Sequence, residues 1–201
     1  MFALVESGSI IKMLNGNKGI TIDGVQHPRA IYTLWTEAER NAIGIYTVEY
    51  DNSNKKDEKW YINTDQSYAF ANSKVTATYG TATAKAHADT LYTQEDEDNG
   101  LGTKDDVKVK GLKTILIAEI KSQAANELAR TDWYITRNAE KSTAIPSAIT
   151  THRDLVRSRQ AAMETSITNA SDTPALETLY TYTTDSDGVT SRPLALIPTL
   201  D

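Results

Sequence analysis

The chain has no cysteine, which excludes a disulfide framework, thiolate metal ligation and a thiol nucleophile. It also lacks an excess of positive charge. With 27 acidic against 21 basic residues and a formal charge of −6, broad binding to nucleic acid is not expected, because such binding draws its free energy from Lys and Arg neutralising phosphates. No apolar run approaches the roughly 20 residues needed to cross a bilayer, so no membrane partner is expected. Met1-Phe2-Ala3-Leu4-Val5-Glu6 lacks the basic start and long apolar core of a signal peptide. The reading is of a protein made in the cytoplasm of the cell that expresses it. There is no long heptad seam, which argues against an extended coiled-coil trimer and leaves a compact homo-oligomer open.

Recognisable chemistry is missing too. No serine sits in a Gly-x-Ser-x-Gly turn, and no glycine loop is built to cradle phosphate. His27, His87 and His152 are the only imidazoles, and none has a partner constellation, so core or boundary roles are expected for them. The run Glu95-Asp96-Glu97-Asp98 does not supply the alternating ligands and placed glycine of a calcium loop. Asp185-Ser186-Asp187-Gly188 reads as a turn. The sequence therefore predicts a non-enzymatic protein with no catalytic residues, no cofactor and no metal.

What is present is a chain of 201 residues, 39% hydrophobic and 24% charged, with ten tyrosines. That length suits one larger domain or two small ones, able to bury roughly two thirds of the unfolded surface. Short β-type runs at 2–5, 9–14, 19–22 and 25–27 alternate with turn residues, and Asp23-Gly24 is a strong signal for a two-residue hairpin turn. Thr36-Glu37-Ala38-Glu39 fits a capping box that opens a short helix over 36–43, stopped by Gly44. Residues 45–50 and 59–62 return to period-two alternation and are expected to pair as a hairpin. Residues 67–86 read as one long or broken exposed strand.

Beyond residue 94 the pattern changes. The acidic, glycine-containing stretch reads as a linker. Ile117, Ile120, Ala124 and Leu128 then recur at helical spacing, as do Ile149, His152, Val156, Met163 and Ile167 behind Pro146. Two amphipathic helices of about five turns, packed antiparallel, are expected. Asp172-Thr173-Pro174 should cap a short third helix. The fold class is α+β: a mainly antiparallel β-rich domain at 1–93 with one short helix, an acidic linker at 94–110, a helical hairpin with a short third helix at 111–182, and an extended tail at 183–201.

The candidate contact residues lie at the hairpin corner, Leu128-Ala129-Arg130-Thr131-Asp132-Trp133-Tyr134, and on the helix that carries Arg153 and Arg157. Arg153 and Arg157 are four apart and share a face. They are expected to pair across the hairpin with Asp132, Glu127 or Glu140. Trp133 has two readings, a plug over the open end of the hairpin or a partner anchor, since Trp, Tyr and Arg dominate binding hot spots. Trp60, Tyr61 and Tyr68 are candidate stacking platforms for a glycan.

Leu128, Thr131-Asp132-Trp133, Arg153 and Leu155-Val156-Arg157 resemble the C-terminal helical module of phage tail-fibre assembly chaperones and related tail proteins. Ala129 stands where that module has a second leucine, and His152 where an aromatic is usual. The longer run Thr131 to Arg137 with Ala144-Ile145-Pro146 is similar to uncharacterised tail-associated proteins of marine bacteriophages. Gly24-Val25-Gln26-His27-Pro28, Trp35-Thr36-Glu37-Ala38-Glu39-Arg40 and Ala42-Ile43-Gly44-Ile45-Tyr46 resemble an N-terminal segment of several tail-associated proteins. The resemblance implies a protein of the tail region of the virion, made in the host cytoplasm, whose partners are other tail proteins. Its alternatives are an assembly chaperone that leaves the finished particle, and a glycan or receptor-binding module.

Overall fold

The computed structural model describes residues 1–200 and shows an α+β chain that divides into two units, Met1–Thr83 and a second from Ala84 onward. The first unit contains β1 (Phe2–Glu6), β2 (Ser9–Leu14), β3 (Ile20–Ile22), β4 (Val25–His27), α1 (Ile31–Leu34), α2 (Glu37–Ala42), β5 (Ile45–Asp51), β6 (Tyr61–Ile62), β7 (Gln66–Ala71) and β8 (Lys74–Tyr79). The short β9 (Thr83–Ala84) lies at the boundary.

Five strands form the main sheet in the order β2-β1-β5-β8-β7. β1 is apolar at Ala3, Leu4 and Val5 in succession because both of its faces are covered. Leu4 joins Leu14, Ile22, Ile31, Tyr32 and Ile45 on one side. Ala3 and Val5 join Val48, Val75 and Ala77 on the other. The β3–β4 turn has Asp23 and Gly24 at φ 49° and 78°, the left-handed pair that the sequence signal demands. Thr36 and Glu39 close the capping box reciprocally, and Gly44 ends α2 at φ 78°.

Two expectations for this unit fail. β5 does not pair with residues 59–62 but runs parallel to β8, Val48 opposite Val75, and antiparallel to β1. Segment 67–86 is not one long or broken strand that continues in one direction: β7 and β8 form a hairpin around Asn72-Ser73, both at positive φ.

The second unit contains β10 (Thr90–Leu91), α3 (Gln94–Asp98), β11 (Val107–Val109), α4 (Leu112–Ala129), α5 (Asp132–Lys141), α6 (Ser147–Asn169), α7 (Thr173–Tyr180), β12 (Thr183–Thr184) and β13 (Thr190–Ser191). Helices and strands thus occur in both units, and the separation into a β part and a helical-hairpin part is not clean.

The stretch 94–110 is not a linker. Thr93 and Asp96 form a capping box at the start of α3, Gly100 and Leu101 donate back to Glu97 and Asp96 in a Schellman stop, and β10 pairs with β11 around it. The acidic composition hid these caps. Lys108 lies 2.7 Å from Asp96 and, with the Thr93 amide, holds that carboxyl down at about 2.

α4 and α6 pack antiparallel, as Lys113 to Thr168, Lys121 to Glu164 and Glu127 to His152 show. Ile149, His152, Val156, Met163 and Ile167 are all buried on α6. On α4 the buried stripe is Leu112, Leu116, Ile120, Ala124 and Glu127, one residue round from the expected Ile117 and Leu128. The two helices do not form a simple hairpin, because α5 is inserted between them. The tail is not simply extended either: β12 and β13 form a ribbon, and Leu194 is 1% exposed with its amide on the Leu179 carbonyl.

The start of α4 is held from a distance. Gly111 at its N-cap has no side chain, and Asp89 substitutes by accepting from the Gly111 amide at 2.7 Å and the Thr114 hydroxyl at 2.8 Å. The Gly111 hydrogen bond, then that of Thr114, lowers the Asp89 carboxyl below its ordinary value. A Cβ at Gly111 would overlap the Ala88 carbonyl. Gly111→Ala should therefore cost about 2 kcal/mol, read by urea unfolding, because the obstacle is backbone rather than a side chain that can swing away.

Candidate functional site

The corner begins where α4 ends. Thr131 is 1% exposed and donates through its hydroxyl to the Leu128 carbonyl at 3.0 Å. Arg153, reaching over from α6, places Nη1 2.8 Å from that carbonyl, 2.7 Å from Thr131 Oγ1 and 2.9 Å from Asp132 Oδ1. Of the three carboxylates expected for Arg153, Asp132 is the one it meets. The spacing Leu128, Thr131, Asp132 thus gives one guanidinium a helix-end carbonyl, a hydroxyl and a carboxylate at the first turn of α5. The joint fixes where α5 leaves the bundle.

One turn earlier, Glu127 is buried against His152, with Oε1 3.0 Å from Nε2. The same oxygen accepts from the Leu200 amide at 2.8 Å, while Arg130 donates to both carboxyl oxygens and, through Nη2, to the Leu200 carbonyl at 3.1 Å. The C-terminal segment is thereby strapped onto α4. Burial pushes the Glu127 carboxyl up, but hydrogen bonds from Leu200, Arg130 and His152 together outweigh it and leave the carboxyl below its ordinary value. Glu127 was expected as a partner for an α6 arginine, not as a buried member of the α4 stripe. Its spacing, three residues from Ala124 and seven from Ile120, is that of the stripe, and only its charge argued for solvent.

α5 itself buries no residue. Trp133 is 51% exposed, so it does not plug the hairpin; Thr131 occupies that place. Trp133 stacks on Tyr134 with ring centroids 3.7 Å apart, and the Arg137 guanidinium lies 4.8 and 5.2 Å from the two rings. Ile135, 43% exposed, adds apolar surface. This aromatic-arginine group is the largest exposed apolar feature of α5 and has the composition of a protein-contact hot spot. Because α5 buries no residue, Trp133→Ala should cost only about 1 kcal/mol in unfolding free energy, from the lost contacts with Tyr134 and Arg137. A larger loss would restore the plug.

The other candidates lie apart from this group. Arg157 is exposed, pairs only loosely with Asp154 at 3.4 Å, and lines an open groove on α6 with Leu128, Gln160, Ala161 and Glu164. Arg153 and Arg157 therefore do not act together: one is inside the joint, the other in solvent. Trp60 and Tyr61 are 3% and 5% exposed, with Lys59 and Lys56 ammonium groups over their rings. Neither presents the free ring face that stacking on a sugar needs, and the expected glycan platform is reduced to Tyr68, 37% exposed on the edge strand β7. Among the described residues, no three of His, Asp and Glu converge as a metal site, and no helix is long and apolar enough to cross a membrane. No family model, curated protein or solved structure matches this chain.

Proposed function

We propose that this chain is a non-enzymatic assembly protein of a bacteriophage tail, retained in the virion near the fibres or baseplate, and that α5 carries its partner-binding surface. The observation that supports a binding role is the exposed Trp133, packed on the half-buried Tyr134 and Arg137 and carried by the helix that the Arg153 joint directs. The phage assignment is supported by the resemblance in Leu128, Thr131-Asp132-Trp133 and Arg153. In this reading those residues are the scaffold and α5 is what they present. Quantitative mass spectrometry of purified virions against the infected-cell lysate tests it. Detection in fixed ratio to a known tail protein is expected. Abundance in the lysate with absence from particles would instead make the chain an assembly chaperone, and absence from both would end the tail assignment.

A further inference from the structure

We propose that the second unit self-associates head to tail, the aromatic-arginine face of α5 in one copy docking on the acidic α3 knob of the next. The inference rests on the reading of α5 as a protein-contact surface and names its occupant as a second copy of this chain.

The knob built from β10, α3 and β11 runs directly into the N-terminal end of α4, whose first amides bond to Ala86, His87 and Asp89. α5 leaves from the other end. Eighteen residues at about 1.5 Å each separate the two ends by about 27 Å. Residues 90–109, the knob, hold six carboxylates against two lysines, of which Lys108 is paired with Asp96. Residues 127–159 hold six Arg or Lys against four carboxylates, and because Arg130 and Arg153 are paired with Glu127 and Asp132, the excess comes from Arg137, Lys141 and Arg157. α6 runs antiparallel to α4, so its arginines lie at the α5 end. The unit therefore has one acidic and one basic end. Their separation exceeds the Debye length of about 8 Å at physiological salt, so neither end screens the other within one molecule.

The surfaces also match in apolar content. Leu101, at the Schellman stop of α3, is 60% exposed, although the residue at that position commonly folds onto its own helix. It follows directly on the acidic run Glu95 to Asp98, an exposed apolar residue at the end of a helix of carboxylates. Trp133 with Arg137 is its complement, a large ring beside a guanidinium. The contact joins two different surfaces, so it is heterologous and continues into a ring or an open chain rather than stopping at a dimer.

Two variants, each with one end disabled, give the test. Trp133→Ala with Arg137→Glu removes the basic face. Glu97→Lys with Asp98→Lys removes the acidic one, at the end of α3 where cations suit the helix dipole. Sedimentation velocity on the full chain is expected to show wild-type species larger than monomer that grow with concentration and dissociate between about 50 mM and 0.5 M salt. Each variant alone should stay monomeric, and their equimolar mixture should give a species of twice the monomer mass and nothing larger. The neutralising changes Arg137→Gln and Glu97→Gln should weaken association severalfold each. A wild type monomeric at hundreds of micromolar in low salt, a single-ended variant that associates like wild type, or a mixture that stays monomeric would overturn the proposal. A monomeric chain found in virions would sink this inference and leave the tail-assembly reading standing.

Discussion

Arg153→Ala is expected to destabilise the second unit by about 3 kcal/mol. The guanidinium is 9% exposed and satisfies the Leu128 carbonyl and the buried Thr131 hydroxyl as well as Asp132. Its removal leaves the first two without their cationic donor in a place water reaches poorly. The loss falls at the low end for a broken buried pair because Asp132 is 60% exposed and can turn to water. Asp132→Asn, which breaks only the ion pair, should therefore cost no more than about 1 kcal/mol. Urea unfolding of the three proteins measures the difference. Equal losses for the two variants would mean that the ion pair, and not the helix-end hydrogen bonds, holds the joint. The Arg153 variant should also lose partner binding with Trp133 still in place, since α5 buries nothing of its own and takes its direction from this joint.

The elements legible in the sequence were those whose signals are local. Asp23-Gly24 names its turn because glycine relieves the positive φ, whereas Asn72-Ser73 makes the same kind of turn without glycine and left β7 and β8 to be read as one strand. Thr36 and Glu39 announce α2. Thr93 and Asp96 close an equally complete box, but a short carboxylate where Glu or Gln is usual, inside an acidic run, reads as a solvated linker. The parallel pairing of β5 with β8 joins residues 27 apart in sequence, Val48 and Val75, and period-two alternation cannot choose between them and the nearer 59–62.

The candidate site divides in the same way. That Arg153 meets a carboxylate across the corner was legible, but helical register left Asp132, Glu127 and Glu140 open as its partner. The fate of Trp133 was not legible, because an aromatic at a helix end suits a plug and an anchor equally, and the decision lay with Thr131, whose hydroxyl fills the corner. Trp60 and Tyr61 were misread in the opposite direction. The sequence offers them as stacking platforms on a strand at 59–62, yet the rings are buried with lysine ammonium groups over them.

Glu127→Gln should free the end of the chain and remove a pH dependence. In the folded protein the carboxyl lies below its ordinary value of 4.5, so the folded state binds the proton less readily than the unfolded one. Its contribution to stability is then fully present above 4.5 and disappears as pH falls through the lowered folded value. The glutamine keeps an acceptor for the Leu200 amide but no charge for Arg130 or His152. At neutral pH the variant should be less stable by about 2 kcal/mol, chiefly from the buried contact with His152 and less from the weakened, part-buried bond to the Leu200 amide, since Arg130 is half exposed and adds little. On acidification toward about pH 3 the two proteins should converge, because protonation gives wild type the same neutral group. Hydrogen exchange at the Leu200 amide should report the same event locally, accelerated in the variant at neutral pH and in wild type only in acid. Stability curves that run parallel across this range would show that Glu127 packs in the bundle without holding the strap.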